Sequence, residues 1–171
     1  TAVTRLHQLG VKQTVMLTGD TDAVGRKVAA EVGLDAVQTQ LLPHQKVERV
    51  EALLEAPNRT GSLVFVGDGV NDAPALARAD VGVAMGGLGS DAAIEAADVV
   101  IMTDEPAKLA DVVQTGRKTM RIVMQNIVFA LGVKAVVLVL GALGLADMWG
   151  AVFADVGVSV LAILNAMRAM R

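Results

Sequence analysis

The forty-six residues 122–167 carry only three charged side chains, Lys134, Asp147 and Asp155, and this long, nearly uncharged tract limits the fold more than any other feature. It splits into two apolar runs, 122–143 and 148–167. Each is near the twenty or so residues that cross about 30 Å of hydrocarbon as a helix. Their spacing predicts a tight helical hairpin across a membrane. Arg117, Lys118 and Arg121 precede the first run, Arg168 and Arg171 follow the second, and the connection 144–150 has no basic residue. Short basic flanks remain on the cytoplasmic side, so both ends of the hairpin, and everything before it, are expected in the cytoplasm. Trp149 at the outer turn suits an interfacial anchor. The alternative is a pair of buried core helices, which would need a larger partner core than the rest of the chain supplies. The whole-chain composition, 53% hydrophobic with a mean hydropathy of +0.52, points the same way.

The remainder follows a different pattern. From Gln13 to about Asp111, short β-branched runs alternate with helix-like segments, as in an open α/β sheet of parallel strands. Strands are expected at 14–17, 36–38, 62–66, 81–84 and 99–102, each a short, mainly apolar run as in strands covered on both faces. Asp22 is expected to cap a helix ending before Gly33, and Pro43 to open one running towards Leu54. Further helices are expected from Asp72 onward, over 90–97, and from Pro106 to about Met120, the last continuing into the apolar part without a breaker. A net charge of −3 and no Lys/Arg run of five give no reason to expect a nucleic-acid partner. Without cysteine, any metal ligand in the chain is oxygen or nitrogen. Thr1-Ala2-Val3 has no initiator methionine and no signal-type region, so the chain is expected to begin inside a longer protein.

Sites in open α/β sheets form at the carboxyl ends of strands, and three groups of polar residues fall there. Thr18-Gly19-Asp20 offers a hydroxyl and approachable backbone N–H groups for a phosphate. Lys46 could set an ammonium against a phosphoryl group, or simply lie on a solvated helix face. Gly67-Asp68-Gly69-Val70-Asn71-Asp72 puts two carboxylates and an amide on a glycine-rich turn. Mg2+ accepts one or two carboxylates while keeping waters and substrate phosphate, so Asp68 at the strand tip is the natural ligand, with Asn71 and Asp72 orienting the site. Gly67 and Gly69 let the backbone turn sharply and approach the phosphate. An Asx-rich structural turn is the plainer reading.

The ten residues Gly67-Asp68-Gly69-Val70-Asn71-Asp72-Ala73-Pro74-Ala75-Leu76 resemble the signature segment of P-type ATPases, and the likeness extends over nearly the whole chain. The resemblance implies a haloacid-dehalogenase-like α/β fold. Residues 1–116 would be the later part of the phosphorylation domain, and residues 117–171 the last two transmembrane helices. It also implies an ATP-hydrolysing enzyme that is transiently phosphorylated on an aspartate. That aspartate's Asp-Lys-Thr-Gly-Thr motif is absent here, as are the nucleotide-binding and actuator domains. Thr18 and Gly19 match the family's phosphate-contacting segment, Lys46 its charge-neutralising lysine, Asp68 its magnesium ligand, and Asn71 with Asp72 the supporting pair. The implied cofactors are Mg2+ and ATP. The implied partner is the N-terminal portion of the same polypeptide, in a bacterial plasma membrane.

Charges inside a membrane are costly and mark function. Lys134 and Asp155 lie about equally far from the hairpin turn, roughly 15 Å deep at 1.5 Å per residue, and are expected to meet. A divalent cation could displace the ammonium and take the carboxylate; a structural salt bridge is the alternative. Asp155-Val156-Gly157 with Lys134 resembles the zinc/cadmium/lead-exporting branch. Copper pumps pair Ser with Met in the last helix, whereas here Asp155 stands four residues before Ser159, and Asn126 lacks the tyrosine that precedes it in those pumps. A soluble phosphatase of the same fold and a non-catalytic module that binds Mg2+ or phosphate are the other readings.

Overall fold

Thr1 caps the first helix, α1 (Ala2–Gln8), its hydroxyl accepting the Thr4 N–H at 3.3 Å, while Val3 and Leu6 turn inward. This helix precedes every predicted element. The cap and the three-residue apolar spacing were its only signals. In the computed structural model, which describes residues 1–57, 59–68, 70–86, 91–145 and 147–170, two compact units follow one another, Thr1–Ala110 and Asp111–Arg171.

The first unit continues with β1 (Val15–Leu17), α2 (Asp22–Val32), β2 (Ala36–Gln38) and α3 (Pro43–Leu54). After β3 (Val64–Gly67) come a 3-10 turn (Val70–Asp72), α4 (Ala73–Arg78), β4 (Val81–Met85), α5 (Asp91–Ala96) and β5 (Val99–Ile101). All strand pairs are parallel. The five strands form two ladders rather than one, β1-β2 and β3-β4-β5. No pairing joins β1 to β3 among the described residues, and the strands are correspondingly less covered than fully sandwiched ones. β1 and β2 are half-buried throughout, and only β4 has a buried centre. The core gathers around β4, where Leu76, Ala84 and Ala93 pack with Phe65, Ala97 and Val100 beside them.

Helix boundaries follow local chemistry. Pro43 opens α3, and Gln45 turns back to accept the Leu42 N–H at 2.9 Å. Gly33, at φ 84°, ends α2 in the left-handed conformation expected of glycine there. Asp22 is not the cap. Thr21 occupies the cap position, and Asp22, the first helical residue, binds Arg26 Nε at 2.7 Å and the Thr39 hydroxyl at 3.0 Å. Arg26 one turn on, then Thr39, hold its carboxyl below the usual carboxylate range.

In the second unit, α6 (Ala107–Ala142) is one 36-residue helix whose first turn lies before the division, and the expected 106–120 helix is its opening part. After the turn at Gly144, Asp147 caps α7 (Met148–Ala166), accepting the Gly150 N–H at 2.8 Å; a 3-10 turn, Met167–Met170, follows. Both helices are long and apolar enough to cross a membrane. Their leucines, valines and phenylalanines are largely exposed: Leu138, Phe153 and Leu131 are more than 60% accessible. That is the arrangement of spans facing lipid or other helices, not of a soluble core.

At the start of the sheet, Asp35 accepts the Thr14 N–H at 2.6 Å and its hydroxyl at 2.7 Å, tying the entries of β1 and β2 together. The Thr14 hydroxyl, then its N–H, hold the Asp35 carboxyl below the ordinary value of 3.8. A lowered folded value means stability that is fully present above the ordinary value and lost as pH falls from there through the lowered one. Asp35→Asn is therefore expected to flatten the acid limb of stability, seen in urea melts between about pH 5 and pH 2. An unchanged acid limb would show that the Thr14 contacts do not couple to folding.

Candidate functional site

The carboxyl end of β3 delivers Gly67 and then Asp68, and the chain turns through the 3-10 segment into α4. Asp72, 9% exposed, is the one buried charged residue of the first unit among the described residues. Its Oδ1 accepts Lys46 Nζ at 2.8 Å, with side chains only 12% and 19% exposed. That contact explains why Asp72 sits at the cap of α4 without bonding its N–H groups: the carboxylate is engaged by the lysine. Lys46 is in the first turn of α3, so the opening by Pro43 aims the ammonium at the β3–α4 loop. Gly67 makes room. A Cβ there would lie 2.7 Å from Asp72 Cβ, so only glycine lets the strand end pass Asp72 at this distance.

Asp68 and Asn71 are exposed residues of the same loop. With Asp72 neutralised by Lys46, Asp68 is the loop carboxylate left to offer oxygen to a cation. The donor set fits Mg2+, which takes one or two carboxylates and completes its shell with water and phosphate. Gly69 lies outside the described residues. No group of three or more His, Cys, Asp or Glu able to hold a metal occurs among the described residues, so any ion here is shared with water or another segment.

At the end of β1, Thr18 is half-buried and Gly19 and Asp20 are exposed. The Thr18 hydroxyl donates to Asp20 Oδ2 at 2.9 Å and accepts the Asp20 N–H at 3.1 Å, a self-contained turn. The Gln40 N–H donating to the Asp20 carbonyl and the Leu41 N–H to the Thr18 carbonyl brace it from the β2 side. Of the predicted residues, Lys46 meets Asp72 and Thr18 meets Asp20, and no hydrogen bond or ion pair joins those two pairs among the described residues.

In the second unit Lys134 Nζ stands 3.2 Å from Asp155 Oδ1 across α6 and α7, both more than half exposed. The Ser159 hydroxyl is used locally, donating to the Asp155 backbone carbonyl at 3.0 Å and leaving the carboxylate to the lysine. Sequence reasoning passed over Asn165, whose amide bonds Asn126; an asparagine in an otherwise apolar run was the signal.

Two family models, both described as haloacid dehalogenase-like hydrolase, match residues 1–80 and 42–137. The chain belongs to the haloacid dehalogenase-like hydrolase family. It is 60% identical over 98% of its length to a zinc-transporting ATPase of Synechocystis sp., and 59% identical over 99% to a cadmium, zinc and cobalt-transporting ATPase of Bacillus subtilis. A crystal structure of a zinc-transporting PIB-type ATPase in its E2.Pi state superposes over 99% of the chain, with TM-score 0.91 and 40% identity. The chain spans 23% and 24% of the two relatives and 27% of the crystallised protein. Homology and two apolar helices together make this haloacid dehalogenase-like chain an integral membrane protein.

The packing of Gly67 gives a direct check. Gly67→Ala is expected to push Asp72 away from Lys46 and to cost about 1–3 kcal/mol in denaturant melts, as overpacking does. An unchanged melt would mean that the loop can move Asp72 without disturbing the ion pair.

Proposed function

We propose that this chain is the C-terminal part of an ATP-driven exporter of a divalent heavy-metal cation, Zn2+, Cd2+ or Pb2+. It would contribute half of a phosphorylation site and one wall of the ion path. The observation that carries the reading is the Lys134–Asp155 contact, an ammonium and a carboxylate 3.2 Å apart on two membrane-spanning helices. Such charges are retained in hydrocarbon where something passes or binds. The carboxylate is a hard oxygen ligand that a divalent cation takes by displacing the lysine, and without cysteine this chain has no thiolate to offer. Further ligands would come from upstream helices. Residues 1–116 would lie in the cytoplasm, given the basic flanks of the hairpin.

The phosphorylation chemistry implied by the family needs an aspartate from the upstream portion. Its carboxylate would attack the γ-phosphorus of ATP, the bond to the β-phosphate oxygen breaking as ADP leaves; water would later attack the same phosphorus, breaking its bond to the carboxylate oxygen and releasing inorganic phosphate. The divided sheet supports an upstream contribution. Among the described residues β1 and β3 share no ladder, and a further parallel strand would join the two pieces with its carboxyl end beside Thr18 and Asp68. In that setting Asp72 holds the Lys46 ammonium ready to offset phosphoryl charge. The Thr18 hydroxyl and the backbone at Gly19 and Asp20 would contact phosphate oxygens, with Gly67 and Gly69 allowing close approach. Asp68 would hold Mg2+, which supplies charge neutralisation at those oxygens, and Asn71 would keep the loop in place.

The test is metal-stimulated ATP hydrolysis by the full-length parent protein in lipid, native against Asp155→Ala, across Zn2+, Cd2+, Pb2+ and Cu+. Stimulation by Zn2+ or Cd2+ that Asp155→Ala reduces at least about 100-fold is expected, as when a charged group acting directly on the reacting or transported species is removed. Stimulation by Cu+ alone, or indifference to Asp155, would return Lys134 and Asp155 to a structural role.

A further inference from the structure

A second polar contact joins α6 to α7, nearer the basic ends of the hairpin than Lys134 and Asp155. Asn126 Nδ2 donates to the Ala162 carbonyl at 3.0 Å, Asn165 Nδ2 donates to Asn126 Oδ1 at 2.8 Å, and Arg168 Nη1 donates to Asn165 Oδ1 at 3.0 Å. Both asparagines sit in the packed seam rather than on its flanks. On α6 the covered positions include Ile122, Asn126 and Ala130, and on α7 Val158, Ala162 and Asn165, whereas Lys134 and Asp155 lie beside the seam and are exposed.

Apolar side chains in such a seam do little to fix how far one helix slides along the other, because lipid tails solvate them equally well. A buried asparagine differs. Its amide must find a partner, and this selects one register. The geometry ties this register to the ion pair. Eight residues along α6 from Asn126, about 12 Å, is Lys134; seven residues back along α7 from Ala162, about 10.5 Å, is Asp155. With Asn126 on the Ala162 carbonyl, Lys134 arrives opposite Asp155. A slip of one helical turn, about 5.4 Å, would part them.

We propose that Asn126 and Asn165 are positioning residues for the ion path. They lock the register of α6 on α7 so that the Lys134 ammonium returns to the Asp155 carboxylate whenever the cation leaves. The inference rests on the reading that Asp155 takes the transported cation. Lys134 then acts as a tethered competitor, and an ammonium held out of register competes poorly. Cation binding is tightened and its release slowed.

Zn2+-stimulated ATP hydrolysis by the full-length parent protein in lipid vesicles tests this with Asp155→Ala, Lys134→Ala, Asn126→Leu, Asn126→Gln and the double variant Asn126→Leu/Lys134→Ala. Lys134→Ala is expected to lower both kcat and the KM for Zn2+. Asn126→Leu is expected to shift both in the same direction by about threefold to twentyfold, the range that one interhelical hydrogen bond in a membrane carries. It should add nothing in the Lys134→Ala background, and Asn126→Gln should recover part of the loss. Asn165→Leu leaves the Asn126 bond to Ala162 in place and should give a smaller shift of the same sign, which keeps the test open if Asn126→Leu does not assemble. A native kcat and KM in Asn126→Leu, or an effect that adds in full to that of Lys134→Ala, overturns the positioning role. Zn2+ stimulation that survives Asp155→Ala overturns the ion site itself, and the positioning role with it; stimulation lost there while Asn126→Leu stays native overturns the positioning role alone.

Discussion

Lys46 and Asp72 meet at 2.8 Å in surroundings that leave little of either side chain in water, and the arrangement around β3 depends on that contact. Burying two charges is unfavourable unless they are paired and their remaining polar groups satisfied. The pair therefore restricts what its neighbours can be: glycine at position 67, a helix opened at Pro43 so that Lys46 faces the loop, and an α4 cap position whose carboxylate is engaged elsewhere. It also decides which carboxylate remains available. With Asp72 committed to the lysine, the exposed Asp68 is the loop carboxylate free to serve as the proposed magnesium ligand, so that ion pair and ligand would divide the labour of one short loop.

Much of this was legible in the residues because the signals were local. Apolar runs bounded by glycine, proline and aspartate marked the five strands to within a residue or two, and Pro43 and Gly33 marked a helix start and a helix end. The uncharged stretch after Arg121 marked the hairpin, since hydrocarbon tolerates few alternatives to helix. What escaped was non-local. That the strands form two ladders depends on which edges find a partner, and no periodicity within a strand carries that information. The role of Asp22 was misjudged for a similar reason: Arg26 and Thr39 compete for its carboxylate, and Thr39 approaches from across the β2 edge. Within the candidate site, residue types and order were readable from Gly67 to Asp72, but the Lys46–Asp72 partnership was not, because 26 residues separate the two.

The two ion pairs carry opposite lessons about exposure. Lys46–Asp72 is mostly covered, and in the first unit covering a pair is the costly arrangement. Lys134–Asp155 is about 60% exposed on both sides. In water that would make it nearly worthless, as exposed ion pairs usually contribute about 0–1 kcal/mol. Along a membrane span, however, exposure means contact with lipid or with other helices, and separating the charges there leaves each without a counter-charge. The same fractional exposure marks a dispensable contact in one solvent and an enforced one in the other.

A pair enforced by its solvent is also one that a better counter-ion can open. In the proposed ion path the carboxylate of Asp155 would be neutralised by the lysine when no cation is present and by the cation when one arrives, so exchange between them would never leave the charge bare. Such an exchange works only if the lysine returns to the same place on each cycle, and its four-carbon stem is flexible. The backbone must supply the precision that the side chain lacks. Fixing the axial register of two helices through asparagines in the seam would do so at a distance from the proposed exchange, where the amides compete with neither the ammonium nor the cation.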